Sequence, residues 1–485
     1  MRSRTAQRRA TGLHFPPDDV RNTAETHEVP ARNRGWRVCI PLIVGCRALE
    51  ESMPAHLDSG DTAWLLVSAA LVLLMIPGLA LFYGGMVRIK STLNMLMMSF
   101  ACLAVVSIIW VLYGYSLAFG PDAGDGLIGG LTLAGMTGIG PGSLSGSSPT
   151  LVFAAFQMMF AIITAALLSG AIADRAKFST WVVFVAVWVT LVYAPIAHWV
   201  FTPDGWIAAH LRILDLAGGT VVEINSGASG LALAIVLGQR LGFRSDPMRP
   251  HSMPLVVLGA GLLWFGWFGF NAGSALAANG SAGLAFFNTQ ASGAAGIAGW
   301  LLVERLRDGH ATTLGAASGA VAGLVAITPA CGSVNPLCAL LIGVAAGALC
   351  GYVVGLKHRL GLDDSLDVAG VHGVGGFLGT ILIGLLATAT ATGGPRGLLF
   401  GGGLSLFGRQ AAAAVTVALF SFGATWLIAT VLHRTIGFRV DPDHEHGGLD
   451  LAIHGETAYD LGVGGGHTTH AARPSSHHHA PADAS

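Results

Sequence analysis

Two ionisable side chains interrupt long apolar stretches of this 485-residue chain, where a charge is costly if those stretches lie in lipid. Glu223 follows the motif Asp215-Leu216-Ala217-Gly218, and His372 follows the similar motif Asp367-Val368-Ala369-Gly370, 152 positions further on. A carboxylate and an imidazole that share a hydrogen bond can accept a proton and pass it on. The repeated pattern therefore indicates a polar pathway where two similar halves of the protein meet.

The composition is that of an integral membrane protein. The chain is 53% hydrophobic and only 11% charged, whereas a soluble domain has about 25% charged residues. Its 68 glycines suit close packing of helices in lipid. The net charge of -1 gives no indication of a nucleic-acid partner. We therefore expect an all-α fold in contact with membrane lipid.

Hydropathy predicts eleven transmembrane helices, each near the length of about 20 residues that a bilayer requires. The predicted spans are 62–84, 94–119, 150–173, 180–200, 218–238, 254–275, 282–303, 314–329, 336–356, 369–390 and 411–433.

Positive charge divides unequally between the connecting loops. Loops after odd-numbered spans contain most of the lysines and arginines, whereas loops after even-numbered spans contain only Arg212, Arg396 and Arg409. Because positively charged loops remain in the cytoplasm, the N-terminus is expected outside and the C-terminus inside. This orientation describes a multi-pass protein of the cytoplasmic membrane.

The two motifs open spans that run in opposite directions. Asp215 and Asp367 are then expected at helix N-termini on opposite membrane faces, where a carboxylate accepts unpaired backbone N–H groups. This capping is the structural support expected of Asp367. Opposed equivalent helices indicate an inverted repeat of spans one to five against six to ten, with an eleventh helix added.

Counted from these aspartates, Glu223 lies eight residues into its helix and His372 lies five residues into its own. The two side chains approach the membrane midplane from opposite sides. They meet if the Asp367 end of its helix is recessed. The alternative is two unrelated polar residues, each bonded to a neighbouring helix.

Aromatic residues accompany this polar pair. Phe153, Phe156 and Phe160 fall on one side of span three, and span six contains the run 264–271, which is rich in Trp and Phe. Such rings commonly pack against lipid or other helices. Rings beside a hydroxyl group can also hold a small cation, worth ~2 kcal/mol when the site is desolvated.

The chain ends differ in composition from the membrane region at 60–433. Residues 1–52 contain nine arginines and are interpreted as disordered, as an over-extended gene prediction, or as a processed leader. Residues 434–460 form a polar cytoplasmic tail, and 461–485 form a His-rich, disordered tail whose spacing defines no metal site. The six cysteines also lack metal-ligand spacing, so neither a metal nor a cofactor is expected.

Several longer motifs occur in an order that identifies a family. They are 77–85 (PGLALFYGG), 155–157 (AFQ), 215–222 (DLAGGTVV), 267–274 (WFGFNAGS) and 367–373 (DVAGVHG). With them the chain resembles the Amt/Mep/Rh ammonium transporter family, most closely its bacterial Amt members, over about residues 60–460.

The resemblance implies a recruitment site for ammonium near the outer mouth of a pore. Phe160 and Phe270 correspond to the stacked ring pair that gates this mouth. Phe201 and Ser274 join Phe160 in recruitment, although the family usually has Trp where Phe201 stands. Asp215 resembles the family's essential acid, which is expected to fix backbone carbonyls near the site rather than contact the ion.

The resemblance also implies a proton relay formed by Glu223 and His372. Most Amt members have a second histidine where this chain has Glu223, and some fungal Mep members have an acid there. The predicted function is ammonium uptake with ammonia and a proton separated and rejoined. The alternatives are an electroneutral ammonia channel, or an ammonium sensor that acts through a PII-type partner.

Other function classes lack their signatures. The polar residues within the spans contain no nucleophile–base constellation, so no enzyme activity is expected. No TVGYG-type filter for potassium is present. The resemblance implies a homotrimer, and the tail motifs at 447–450 and 454–459 imply docking of a PII-type signalling protein. A tail that only braces the subunits is the alternative.

Overall fold

The computed structural model describes residues 56–460, and this part of the chain is mostly helical. The expectations for residues 1–52 and 461–485 lie outside the described residues. Two antiparallel strands of two residues each, Leu144–Ser145 and Ser148–Pro149, form the sheet found within 56–460.

Each predicted span coincides with a long helical segment, numbered here α1 to α11. Their bounds are Ser59–Met86 (α1), Ile89–Phe119 (α2), Thr150–Ile172 (α3), Phe178–Phe201 (α4), Gly219–Leu237 (α5), Met253–Gly273 (α6), Gly280–Asp308 (α7), Thr313–Ile327 (α8), Pro336–Leu360 (α9), Ala369–Leu386 (α10) and Ser405–Thr435 (α11). Short helices connect or follow them, at Ala134–Met136, Ile207–Leu211, Ala389–Thr392, Leu398–Phe400, Pro442–Gly447 and Asp450–His454.

Nine of these helices, in the part of the chain that the structure describes, are long and apolar enough to cross a membrane. The other two are α7 and α8. Helix α8 is apolar but has only 15 residues. Helix α7 has 29 residues, but its middle contains the buried polar residues Asn288, Thr289 and Ser292. A multi-pass membrane protein is therefore established, and the full count of eleven spans stays a prediction.

The polar residues of α7 bind neighbouring helices instead of lipid. Asn288 donates to the carbonyls of Cys331 and Val334 at 2.8 Å each, and Ser292 donates to the carbonyl of Gly323 at 2.8 Å. The Asn288 bonds satisfy carbonyls of the irregular backbone that follows α8, whereas Gly323 lies within α8. Non-helical backbone at membrane depth is stable only when it is buried and hydrogen-bonded in this way.

Glycines allow α5 and α10 to approach until their backbones touch. A Cβ on Gly227 of α5 would lie 2.1 Å from the Cα of Gly373. A Cβ on Gly376 of α10 would lie 2.5 Å from the Cβ of Glu223. Small residues at these crossings bring the ionisable side chains of the two helices together.

Both helices begin with a π-helical turn that contains the ionisable residue. These turns span Gly219–Ile224 in α5 and Ala369–Gly373 in α10. In a π turn each backbone hydrogen bond joins residues five apart instead of four, which widens the helix. Such turns are frequent at functional sites. Glu223 and His372 thus occupy matching positions in two similarly opened helix starts.

A buried network of charges ties the loops at one end of the bundle. Arg240 bonds Asp363 through two nitrogens at 2.8 and 2.9 Å and reaches Asp174 at 3.2 Å. Arg175, also buried, donates to the carbonyl of Asp363 at 2.7 Å. Buried charges of both signs are paired here, as low dielectric requires.

Candidate functional site

The side chains of Glu223 and His372 are in direct contact. Nδ1 of His372 lies 2.7 Å from Oε2 of Glu223, and the two side chains are 6% and 1% exposed. This distance is that of a charge-assisted hydrogen bond. The alternative of two unrelated polar residues does not fit this geometry.

The pair lies at the wall of a narrow apolar cavity. Met75, Leu263 and Val321 are among the residues that line it, and of its described lining residues Glu223 and His372 alone are acidic or basic. Apolar walls cannot solvate an ion, but they accept a small neutral molecule. The geometry therefore places one hydrogen-bonded ionisable pair against an otherwise apolar space.

A second cavity, of about 170 Å³, shares His372 and Val321 with the first. Its lining is largely apolar but includes the charged residues Glu304, Arg307 and Asp367. His372 therefore borders both the apolar cavity and a second one whose lining carries charged side chains.

One residue of the apolar cavity's lining, Phe270, belongs to a stacked pair of rings. The rings of Phe160 and Phe270 have centroids 4.1 Å apart and planes 17° apart, and both side chains are buried. Rings this close exclude a hydrated ion from the space between them. The three phenylalanines expected on one side of α3 do not all belong to this cluster of rings. Phe153 packs against Phe119 instead, with ring centroids 5.1 Å apart.

Of the other residues expected to recruit the substrate, Ser274 contacts this ring pair directly and Phe201 lies at the start of α5. Ser274 ends α6 and donates its hydroxyl to the carbonyl of Phe270 at 2.8 Å. Phe201 ends α4 and is half-buried, with its ring against Gly218. Trp199 is committed elsewhere, because its Nε1 donates to the carbonyl of Leu127 at 2.7 Å.

Asp215 organises the start of α5. Its carboxylate accepts the backbone N–H groups of Gly218, Gly219 and Thr220 at 2.7–2.9 Å, and the Thr220 hydroxyl at 2.6 Å. Because an ionised carboxylate can only accept hydrogen bonds, Asp215 holds the backbone through amide N–H groups, and the carbonyls of the same planar peptide units are held with them. The Phe201 ring lies against the same Gly218.

The structure assigns the cap of α10 to a residue other than the expected Asp367. Asp364 accepts the N–H groups of Val368 and Ala369, at 3.0 and 2.7 Å, and so caps α10. Asp367 instead forms an ion pair with Lys357 at 2.7 Å. Its support of the structure is through this pair, beside the second cavity, which Asp367 lines.

Asp364 was not predicted as the cap, because the repeated motif begins at Asp367 and indicated that aspartate instead. Asp215 lies eight residues before Glu223, and Asp364 lies eight residues before His372. That equal spacing was the available signal. Cap, π turn and ionisable residue therefore recur in the same order at α5 and α10.

The fold and the site together define a multi-pass helical membrane protein with a buried pair of ionisable side chains at an apolar cavity. Residues 63–459 match the family described as Ammonium Transporter Family. An ammonium transporter of Mycobacterium tuberculosis (strain H37Rv) is 55% identical over 438 residues, which cover 84% of this chain and 92% of that protein. The chain belongs to the ammonium transporter family.

Solved structures agree with this assignment. The crystal structure of Saccharomyces cerevisiae Mep2 is similar with a TM-score of 0.75 at 36% identity, and covers 80% of this chain and 89% of that one. A structure described as a Sensor Amt Protein has a TM-score of 0.75 at 30% identity, with coverage of 81% and 98%.

Proposed function

We propose that this protein takes up ammonium across the cytoplasmic membrane as ammonia and a proton that travel separately and rejoin. The contact between Glu223 and His372 inside an apolar cavity is the observation that carries this proposal. The names of the relatives, which are transporters, favour transport over catalysis. The test is an ammonium-driven current in liposomes that depends on both residues.

The physical reason for separation is the cost of dehydration. Moving an intact ammonium ion into a dry pore costs on the order of tens of kcal/mol in the limit of low dielectric. Neutral ammonia crosses the apolar cavity at a far lower cost. The released proton then needs ionisable carriers, and the Glu223–His372 hydrogen bond supplies them.

The recruitment site in this proposal consists of Phe160, Phe201 and Ser274, with Asp215 holding the backbone beside them. The stacked rings of Phe160 and Phe270 gate the way in. Deprotonation takes place as the substrate passes these rings.

Exchanging Phe201 for Trp should strengthen recruitment. Trp attracts cations more strongly than Phe, so the half-saturating ammonium concentration is expected to fall about threefold in Phe201→Trp. Maximal current should change little, because the relay is untouched. The measurement is current against ammonium concentration, with Phe287→Trp on the exposed face of α7 as the matched control. An unchanged or higher half-saturating concentration in Phe201→Trp would remove Phe201 from the recruitment site.

An inverted repeat of five helices, plus an eleventh, with the N-terminus outside, is part of the proposal. The matching starts of α5 and α10 support it, since each has an aspartate cap, a π turn and an ionisable residue in the same order. The tail, at the end of the bundle opposite to Phe201 in this orientation, is then cytoplasmic.

Two alternatives share the same fold. An electroneutral ammonia channel would raise internal pH without current. The similarity to a Sensor Amt Protein favours, as the second candidate, an ammonium sensor that acts through a PII-type partner. A sensor would bind ammonium without sustained flux.

We also propose a homotrimer and a regulatory tail at 434–460 that offers a docking surface for a PII-type protein. The tail is held against the helices by buried carboxylates. Asp450 accepts the N–H groups of Leu93 and Asn94 at 3.0 and 2.8 Å. Glu445 accepts the N–H of Leu241 at 2.6 Å.

Asp450→Ala should release this tail. A side chain that caps a helix contributes about 1–2 kcal/mol, and its loss leaves two amide groups of α2 without an acceptor. We expect faster proteolysis and faster amide exchange between residues 442 and 459. Asp443→Ala, an exposed position in the same tail, is the control. Equal protection in both variants would show that Asp450 does not hold the tail.

A further inference from the structure

His198 is a buried histidine of α4 whose two ring nitrogens both face acceptors. Nδ1 lies 3.1 Å from the carbonyl of Ala118, and Nε2 lies 3.3 Å from Oδ1 of Asp122. The side chain is 1% exposed. A neutral imidazole can donate to one of these acceptors, whereas an imidazolium donates to both. The relay and the gate make no use of this residue.

Asp122 is the organising residue of the loop after α2. The same Oδ1 accepts the N–H groups of Gly126 at 2.8 Å and Gly124 at 3.3 Å. The Gly126 hydrogen bond lowers the pKa of the Asp122 carboxyl, so that it is held as the anion. A short antiparallel bridge between Asp122 and Gly129 closes the loop.

Further contacts join this loop to α4 and to the residues after it. The indole of Trp199 donates to the carbonyl of Leu127 at 2.7 Å, and the N–H of Trp206 donates to the carbonyl of Gly126 at 3.1 Å. Together with the His198 contacts, they form what we call the loop clasp, between residues 118–127 and 198–206. The clasp fixes the last turn of α4.

That last turn carries Phe201. The carbonyl of His198 accepts the Thr202 hydroxyl at 2.7 Å, which ends the helix just after the aromatic residue. A Cβ on Gly218 would lie 3.2 Å from the Phe201 ring, so the ring rests against the turn that Asp215 organises. A displacement of the α4 end would move the ring away from Gly218.

We propose that His198 and Asp122 are positioning residues that set the affinity of the recruitment site by fixing Phe201 through the loop clasp. This inference rests on the proposed function, because Phe201 must contact the substrate for its position to matter. Neither residue takes part in proton transfer between Glu223 and His372. Their loss therefore changes binding and leaves the rate at saturation intact.

The test is the ammonium dependence of current in liposomes for wild type, His198→Ala and Asp122→Asn. Loss of one charge-assisted hydrogen bond should raise KM about tenfold in His198→Ala, with maximal current per protein within about twofold of wild type. His198→Gln, which keeps one donor group, should recover part of the affinity. His210→Ala, an exposed histidine on the segment after α4, should leave KM unchanged.

A double-mutant cycle separates the clasp from general destabilisation. Since both residues act through the same clasp, His198→Ala/Asp122→Asn should raise KM by clearly less than the product of the two single effects. Amide exchange should increase in residues 121–130 in each variant. If His198→Ala does not fold, Asp122→Asn still tests the claim, because Asp122 is partly exposed and the amide keeps the side-chain shape.

The outcomes distinguish this inference from the proposed function. Saturable current in wild type with an unchanged KM in both His198→Ala and Asp122→Asn would overturn the inference alone. Reduced maximal current at unchanged KM would also overturn it, because it indicates a purely structural role. An absence of ammonium-driven current in the wild-type protein would overturn the proposed function and, with it, any role in recruitment.

Discussion

Replacing Glu223 and His372 together by leucine should abolish the ammonium-driven current. Their hydrogen bond is buried in an otherwise apolar cavity, so leucines leave no group that can carry the proton. Acid–base catalysis by positioned side chains contributes about 10²–10⁴-fold, and we expect at least a 100-fold loss of current. The measurement is the transient current of proteoliposomes after a jump in ammonium concentration. A double variant that keeps wild-type current would refute the relay.

The single variants identify how the pair works. Glu223→Gln keeps the shape and one hydrogen bond to His372 but cannot ionise, so current should fall nearly as far as in the double variant. Glu223→His restores an ionisable partner and should retain current. His210→Leu, a histidine outside the cavity, is the matched control for the loss of an imidazole. If Glu223→Gln conducts like wild type, the carboxylate is not needed for proton transfer.

Asp215→Ala should have the second largest effect, because four hydrogen-bond donors lose the single carboxylate that accepts from them. Three backbone N–H groups and the Thr220 hydroxyl lose their partner at the start of α5. Buried donors left without a partner cost about 1–3 kcal/mol each, so a loss of roughly 3 kcal/mol or more in stability is expected. Transport should fall more than tenfold, since the same turn supports Phe201 and leads to Glu223.

The measurements for Asp215→Ala are thermal unfolding of the purified protein and ammonium current. Asp215→Asn should lie between wild type and Asp215→Ala, because the amide oxygen still accepts while the negative charge is lost. Asp308→Ala, an exposed aspartate paired with Arg307, is the control and should change neither quantity. Wild-type stability in Asp215→Ala would show that the turn at residues 218–220 holds without its cap.

Composition and hydropathy were sufficient to predict the helical segments, because apolar length is a physical requirement of the bilayer. They fail to establish α7 as a span, since Asn288, Thr289 and Ser292 are buried against other helices rather than in lipid. Periodicity cannot distinguish those two environments. The number of apolar helices found is therefore smaller than the number of spans predicted.

The ionisable residues of the site could be picked out from the sequence, but the relative position of α5 and α10 that brings them together could not. The contact of Glu223 with His372 requires the Gly227–Gly373 crossing, and a sequence does not show which of 68 glycines lie at crossings. The cap of α10 was assigned to Asp367 because its motif resembles that at Asp215. In the structure Asp364 caps the helix, and Asp367 pairs with Lys357.

The aromatic residues predicted to lie together are likewise found in two different places. Phe160 and Phe270 stack as the resemblance implied, whereas Phe153 packs elsewhere. One face of a helix extends past any single cavity, so a stripe of rings does not define which of them line it. The hydrogen bonds of His198 were not foreseen, because they depend on a loop whose shape Asp122 determines.

The central claim is tested most directly by the wild-type protein in liposomes, with an ammonium jump compared with a potassium jump. The account predicts a saturable inward current with ammonium and none with potassium. A rise of internal pH without current would contradict it and establish an electroneutral ammonia channel. Silence in both current and pH would contradict transport altogether and favour a sensor.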